Sequence, residues 1–181
     1  MSGHRFRHSV AVAQAARELA GIFGEEEDLS YKTGLLHDYA KGIPAPDLIA
    51  LASEYGLIEN EIEKIVPDLL HAPVGACLLK LELGIEDPAV LEAVRVHTMG
   101  SLHMSKLDKI IFLADMIEPG RDYPGQDRLD CLARRDLDQA MLYGLDATIR
   151  YCLDQARILH PRTIMVRNYF LEILKKSAKD E

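Results

Sequence analysis

Asp115 stands inside Ile110-Ile111-Phe112-Leu113-Ala114-Asp115-Met116-Ile117, a stretch that is apolar on almost every side when wound as a helix. Such a helix belongs at the centre of a fold, with other elements packed around it. A carboxylate in that position must have a partner, because burying an unpaired ion costs on the order of several kcal/mol even after relaxation. A cation, a dense set of donors or a bound metal would serve. Lys109 and Arg95 are the salt-bridge alternatives. Asp38, beside Leu35 and Leu36, poses the same problem.

Helix punctuation recurs along the chain, and no alternating strand pattern with hairpin turns accompanies it, so the fold class is all-α. A first helix is expected from about His8 to Phe23, with Val12, Ala16, Leu19, Ala20 and Phe23 on one face. A second is expected to end in Leu35-Leu36-His37-Asp38-Tyr39-Ala40-Lys41, with Gly42 as a left-handed cap and Pro44 forbidding continuation. Pro67 interrupts the next apolar stretch just before His71 and Pro73 open a helix that Gly84 closes. Asp87-Pro88 is an N-cap followed by proline at the first helical position, and that helix leads to His97 near its end. Ser105 with Asp108 forms a capping-box signature for the Asp115 helix, which Pro119-Gly120 stops. Two longer amphipathic helices follow, broken at His160-Pro161.

The length of 181 residues, 48% of them hydrophobic, supports one core, and neither a repeat nor a linker divides it. One domain is expected over 1–181, with a core at about 8–118 and C-terminal helices at about 126–178. No run approaches the roughly 18 apolar residues of a membrane span, and the chain is expected to be soluble and cytoplasmic. The net charge of −8 opposes binding to nucleic acid, which usually needs a clustered basic face. Cys77, Cys131 and Cys152 are odd in number and far apart, and they read as packed thiols rather than a disulfide framework or thiolate metal site.

Two acids in apolar helix interiors, together with His8, His37, His71 and His97 near helix ends, make a mixed nitrogen and oxygen donor set. Such a set suits a first-row divalent metal: iron, manganese, cobalt or zinc. A lone histidine is more often packed or solvated than a ligand, and His4, His103 and His160 are read that way. No Gly-x-Ser-x-Gly turn, no phosphate loop ending in Gly-Lys-Ser or Gly-Lys-Thr and no His-Glu-x-x-His occurs.

The order His8, His37-Asp38, Asp115 resembles the pattern of the HD-domain metal-dependent phosphohydrolases. Gly34-Leu35-Leu36-His37-Asp38-Tyr39-Ala40-Lys41, His71-Ala72-Pro73-Val74-Gly75-Ala76, His97-Thr98 and Ala114-Asp115-Met116-Ile117-Glu118-Pro119, with Arg121 and Pro124-Gly125 beyond, are similar to the YqeK subfamily. The resemblance implies a single-domain helical bundle that hydrolyses diadenosine tetraphosphate symmetrically to two ADP. It implies that His8, His37, Asp38 and Asp115 hold one metal, that His71 and His97 hold a second, that Asp38 bridges the two, and that iron is the native ion. The likeness begins almost at Met1, where relatives carry more sequence before the first histidine, and a missing turn there would loosen the site without removing a ligand.

A pair of divalent ions lowers the pKa of a bound water and supplies hydroxide as nucleophile, so no protein nucleophile is required. Asp38 and Lys41 are the residues expected to act in the chemistry. Lys41, Thr98 and Arg121 are expected to contact substrate phosphate, Arg121 from a turn-rich loop where a guanidinium can grip two oxygens. Their plainer readings are a helix-end lysine, a helix-end threonine and an arginine paired with Asp122. Arg5 and Arg162 are left outside the site. Another nucleotide as substrate, or a non-catalytic nucleotide or metal sensor, are the competing functions; a homodimer through the C-terminal helices is the partner expected besides the nucleotide.

Overall fold

The first two helices touch backbone to backbone at Gly34. A Cβ placed there would lie 2.9 Å from Ala13 Cα, so only glycine permits the approach. The computed structural model describes residues 3–179, which form ten α-helices, one 3-10 segment and no strand. Helix α1 spans Gly3–Phe23 and α2 spans Glu27–Leu36. Gly24, at φ 69°, makes the turn between them, and the Glu26 side chain caps α2 by accepting from the Asp28 and Leu29 amides. The close approach carries His8 and His37 to the same side of the bundle.

Helix α2 ends earlier than its sequence suggests. After Leu36 the amides of Tyr39, Lys41 and Ile43 donate to carbonyls three residues back, winding residues 37–43 into tight turns. Gly42 is not in the left-handed region; its missing side chain instead leaves the space that Arg5 Nη1 occupies. Helices α3 (Ala45–Glu54), α4 (Ile62–Ile65), a 3-10 turn at Pro67–Leu70 and α5 (His71–Leu83) follow. Leu48, Ala52, Leu70, Val74 and Leu78 join Ala40 in a small core of their own. Gly84 closes α5 at φ 64°, and Asp87 caps α6 (Pro88–Val96) by accepting from the Ala89 amide.

Helix α7 (Lys106–Ile117) is the axis of the fold. It packs against α1, α2 and α6 on one side and, on the other, against α8 (Gln126–Ala133) and α9 (Leu137–Asp154). Ile110, Ile111, Leu113 and Ala114 are wholly buried. Each large apolar side chain so buried contributes about 1.5–3 kcal/mol. The Ser105–Asp108 capping box forms as its sequence requires. The C-terminal region holds three helices rather than two: Arg134 ends α8, and the Asp136 carboxylate, accepting from the Asp138 and Gln139 amides, starts α9 afresh before α10 (Pro161–Ser177). The expected packing of the cysteines is also corrected, because Cys131 is exposed on the outer face of α8 and Cys77 and Cys152 are only half-buried.

Candidate metal centre

The six expected metal ligands come from five places in the chain, and the bundle brings them together. His8 lies on α1, His37 and Asp38 in the turn beyond α2, His71 at the first position of α5, His97 at the end of α6 and Asp115 in the last turn of α7. Asp38 stands between two groups. Its Oδ1 is 3.1 Å from His71 Nε2 and 3.6 Å from His97 Nε2. Its Oδ2 is 3.6 Å from His37 Nε2 and 3.8 Å from His8 Nε2. Asp115 Oδ1 completes the second group, at 3.2 Å from His8 Nε2 and 3.9 Å from His37 Nε2. Three overlapping triads of these donors each fall within a span of 4.8 Å.

The outer nitrogens of the four imidazoles are all tied down. His37 Nδ1 is 2.7 Å from the Gly34 carbonyl, His97 Nδ1 is 2.7 Å from the Val94 carbonyl and His71 Nδ1 meets the Asp68 carbonyl, each three residues back. His8 Nδ1 lies 3.2 Å from Glu118 Oε1. A carbonyl can only accept, so in the first three rings Nδ1 carries the proton and Nε2 presents a lone pair inward. His71 Nε2 and His97 Nε2 then face each other at 3.1 Å, both beside the Asp38 carboxylate. His37 Nε2 is buried with no hydrogen-bond partner. Acceptors converging with too few donors are costly, and a divalent cation would satisfy them. The donor set therefore fits metal ions on both sides of Asp38.

The electrostatics point the same way. Burial pushes the Asp38 carboxyl up, but when protons on the imidazole Nε2 atoms take the place of a metal, hydrogen bonds from His71 and His97 and the nearby charge of His37 outweigh it and hold it far below the usual carboxylate range. Asp115 behaves likewise: burial raises it, and His8, His37 and Arg121 drive it far down. His8 is raised from its ordinary value by its hydrogen bond to Asp115, against the effect of burial. His37 is lowered by burial and by the neighbouring His97.

A cavity of about 280 Å³ opens over these donors, lined by His8, Asp38, His71 and Asp115 and by Lys41, Thr98 and Arg121. All three expected substrate contacts thus border it. Lys41 Nζ donates to Asp68 at 2.9 Å, and Thr98 Oγ1 is 3.3 Å from the Nε2 atoms of both His71 and His97. Arg121 does not pair with Asp122; its Nε donates to the Asp115 carbonyl at 2.8 Å and its Nη2 to Asp115 Oδ1. The salt-bridge alternatives for Asp115 are spoken for elsewhere, Lys109 by Asp138 and Arg95 by Glu92. Sequence reasoning passed over Glu118 and set His4 and Arg5 aside, yet all three stand at the site. Glu118 is 4% exposed, grips His8 and accepts from the Gly120 amide at 2.6 Å; its place three residues after Asp115, on the same helix face, was the available signal. His4 and Arg5 line the cavity one turn before His8.

The HD domain family profile matches residues 5–120. The sequence is 37% identical over 171 residues to a Halalkalibacterium halodurans protein named bis(5'-nucleosyl)-tetraphosphatase, symmetrical, across 94% of this chain and 91% of that one. A Bacillus subtilis protein of the same name is 34% identical, with the same coverage. The fold superposes with a TM-score of 0.91 on a crystal structure from Clostridium acetobutylicum described as a predicted HD superfamily hydrolase involved in NAD metabolism, at 38% identity over 95% of this chain and 91% of that one. With its histidines and aspartates gathered in the order that the family pattern requires, the chain belongs to the HD domain family, in the branch of the symmetrical bis(5'-nucleosyl)-tetraphosphatases.

Proposed function

We propose that this chain hydrolyses diadenosine tetraphosphate symmetrically to two ADP, using two divalent metal ions with iron as the native one. The observation that carries the reading is Asp38, whose two carboxylate oxygens each face a separate set of histidine nitrogens. His8, His37, Asp38 and Asp115 hold one ion, and His71, His97 and Asp38 the other. When bound, the ions supply a water of lowered pKa and neutralise charge on the attacked phosphate.

The remaining work falls to side chains around the cavity. Arg121 is held by Asp115 with its guanidinium at the rim, where its planar fork grips phosphate oxygens. Lys41, steadied by Asp68, brings a mobile point charge to the same oxygens, and the Thr98 hydroxyl supplies a further donor. Together these cations offset the negative charge that a polyphosphate brings to a chain of net charge −8. The metal-binding core occupies about 8–118, and the helices of about 126–178 extend it.

Among the described residues no helix is long and apolar enough to cross a membrane. We place the chain in the cytoplasm, where free thiols such as the exposed Cys131 persist and nucleotide substrates are found. We assign it no nucleic-acid partner. Leu153 on α9, Ile158 in the connection that follows it, and Ile164 and Met165 on α10 expose apolar side chains that would suit pairing of two copies.

Anaerobic incubation of the metal-loaded protein with diadenosine tetraphosphate, with products resolved by chromatography, tests the reading. ADP as sole product is expected. ATP with AMP would mean attack at a different phosphorus and would overturn it, as would no cleavage by protein whose bound metal has been verified.

A further inference from the structure

A second cavity, of about 560 Å³, lies on the far side of Arg121 from the metal centre, between the loop that follows α7 and the outer face of α9. Arg121 lines both cavities, so the two adjoin at that residue. Nε and Nη2 are engaged with Asp115, while Nη1 has no hydrogen-bond partner among the described residues. Beyond that arginine the lining changes character. Tyr123, Tyr143 and Tyr151 contribute three aromatic rings, Met116, Pro124 and Ala147 an apolar floor, and Arg150 and Asp154 one charge of each sign near the mouth.

These features select a ligand class. The volume is within the range of about 300–1,000 Å³ that small-molecule sites occupy. Aromatic rings beside a guanidinium bind flat, electron-rich heterocycles by stacking, and they do so next to the group that binds the attached phosphate. The rings are also held in place: Tyr123 donates to the Met116 carbonyl at 2.9 Å, the Arg128 guanidinium lies 5.1 Å from the Tyr143 ring centroid, and that of Arg157 lies 5.0 Å from Tyr151. Tyr151 keeps half of its surface exposed, so a face remains for a ligand. Asp154 can accept from ribose hydroxyls or a base amino group.

We propose that this second cavity is a nucleoside subsite: it takes the base and ribose of one ADP arm while Arg121 holds that arm's phosphate at the boundary with the metal centre. The inference rests on the phosphohydrolase reading and adds to it where the nucleoside goes. It assigns substrate selectivity to residues of α9, outside the metal-binding core.

Binding to the metal-loaded protein, measured by calorimetry with two probes, ADP and inorganic pyrophosphate, separates the nucleoside contribution from the phosphate contribution. Ala147→Trp fills the cavity, and Tyr151→Ala removes one ring. Either is expected to weaken ADP about tenfold, within the range that losing a base–aromatic stack produces, while pyrophosphate affinity and bound metal stay as in the unaltered protein. If ADP affinity is unchanged in both variants the subsite is wrong, although symmetrical cleavage by the unaltered protein would leave the hydrolase reading standing. Equal losses for ADP and pyrophosphate, or an unaltered protein that does not distinguish the two, would equally overturn it. Failure of the hydrolase reading shows separately, as no cleavage by the unaltered protein.

Discussion

Glu118 Oε1 lies 3.2 Å from His8 Nδ1, and His8 Nε2 in turn lies 3.2 Å from Asp115 Oδ1, so one imidazole is strung between two carboxylates. The outer carboxylate is almost wholly buried, and it takes the place that backbone carbonyls hold at the Nδ1 atoms of His37, His71 and His97. It sets the ring's orientation and raises the basicity of the nitrogen that faces the metal.

Replacing Glu118 by Ala should therefore loosen metal binding without removing a ligand. A fall in metal affinity of about 10–100-fold is expected, with Glu118→Gln nearer the unaltered protein because its amide oxygen still accepts. Metal titration of the apo-protein reads this directly. Affinity unchanged in Glu118→Ala would mean that His8 is positioned by α1 alone.

Arg121 should separate binding of metal from binding of phosphate. Arg121→Lys keeps the charge but loses the planar fork that reaches the Asp115 carbonyl and carboxylate together. We expect kcat/KM to fall on the order of 10²-fold, the usual size of losing one preorganised donor to a developing phosphate charge. Bound metal should change little. A variant that lost its metal instead would show that Arg121 chiefly supports Asp115.

Metal affinity should rise with pH, and His8 gives the window. In the metal-free protein Asp115 stabilises the protonated ring and raises its pKa above the ordinary 6.5, so a proton must leave before Nε2 can take a metal. Below that raised pKa each pH unit should cost about tenfold in affinity, and above it the dependence should flatten. The same shift has the opposite sign for apo-protein stability. The contribution of His8 is fully present below 6.5 and is lost as pH rises through the folded-state value, whereas those of Asp38 and Asp115 are present above the unfolded carboxylate range and fade as pH falls. Calorimetric metal titrations in buffers of differing ionisation enthalpy count the released proton. No proton released near pH 6.5 would contradict the assignment.

What the sequence made legible follows from how local each feature is. Asp115 in an apolar octet, the Ser105–Asp108 box and the Asp87-Pro88 start are decided within one or two turns, and all three stand where their residues place them. The end of α2 was hidden because Gly42 can serve either as a left-handed cap or as an absence of side chain, and only the position of Arg5 on α1 decides for the second. The break between α8 and α9 was missed because the apolar periodicity continues across it, although Asp136 carried the capping signal. The six proposed ligands could be named from residue type and setting, whereas the split of Asp38 between two donor sets came only from the family resemblance. That depends on tight turns at 37–43 and on the paths of four helices. Glu118 lay in plain view and was passed over because a helix-end glutamate usually needs no partner.

The same dependence on helix approach makes Gly34 the most informative position away from the cavity. A Cβ there would meet Ala13 Cα at 2.9 Å and the Ala13 nitrogen and Val12 carbonyl oxygen at 3.2 Å, all of them backbone atoms that cannot swing aside. Helices α1 and α2 must then separate. Overpacking of this kind typically costs about 1–3 kcal/mol, so Gly34→Ala should lower the unfolding midpoint, and Gly34→Val should lower it further. The separation also moves His8, on α1, away from His37 and Asp38, beyond α2, which now lie within 3.8 Å of each other as donor atoms across Asp38 Oδ2. Metal affinity should therefore fall along with stability even though Gly34 touches no metal. A stability loss alone, with metal binding intact in the fraction that remains folded, would show that the His8 side of the centre tolerates movement of α1.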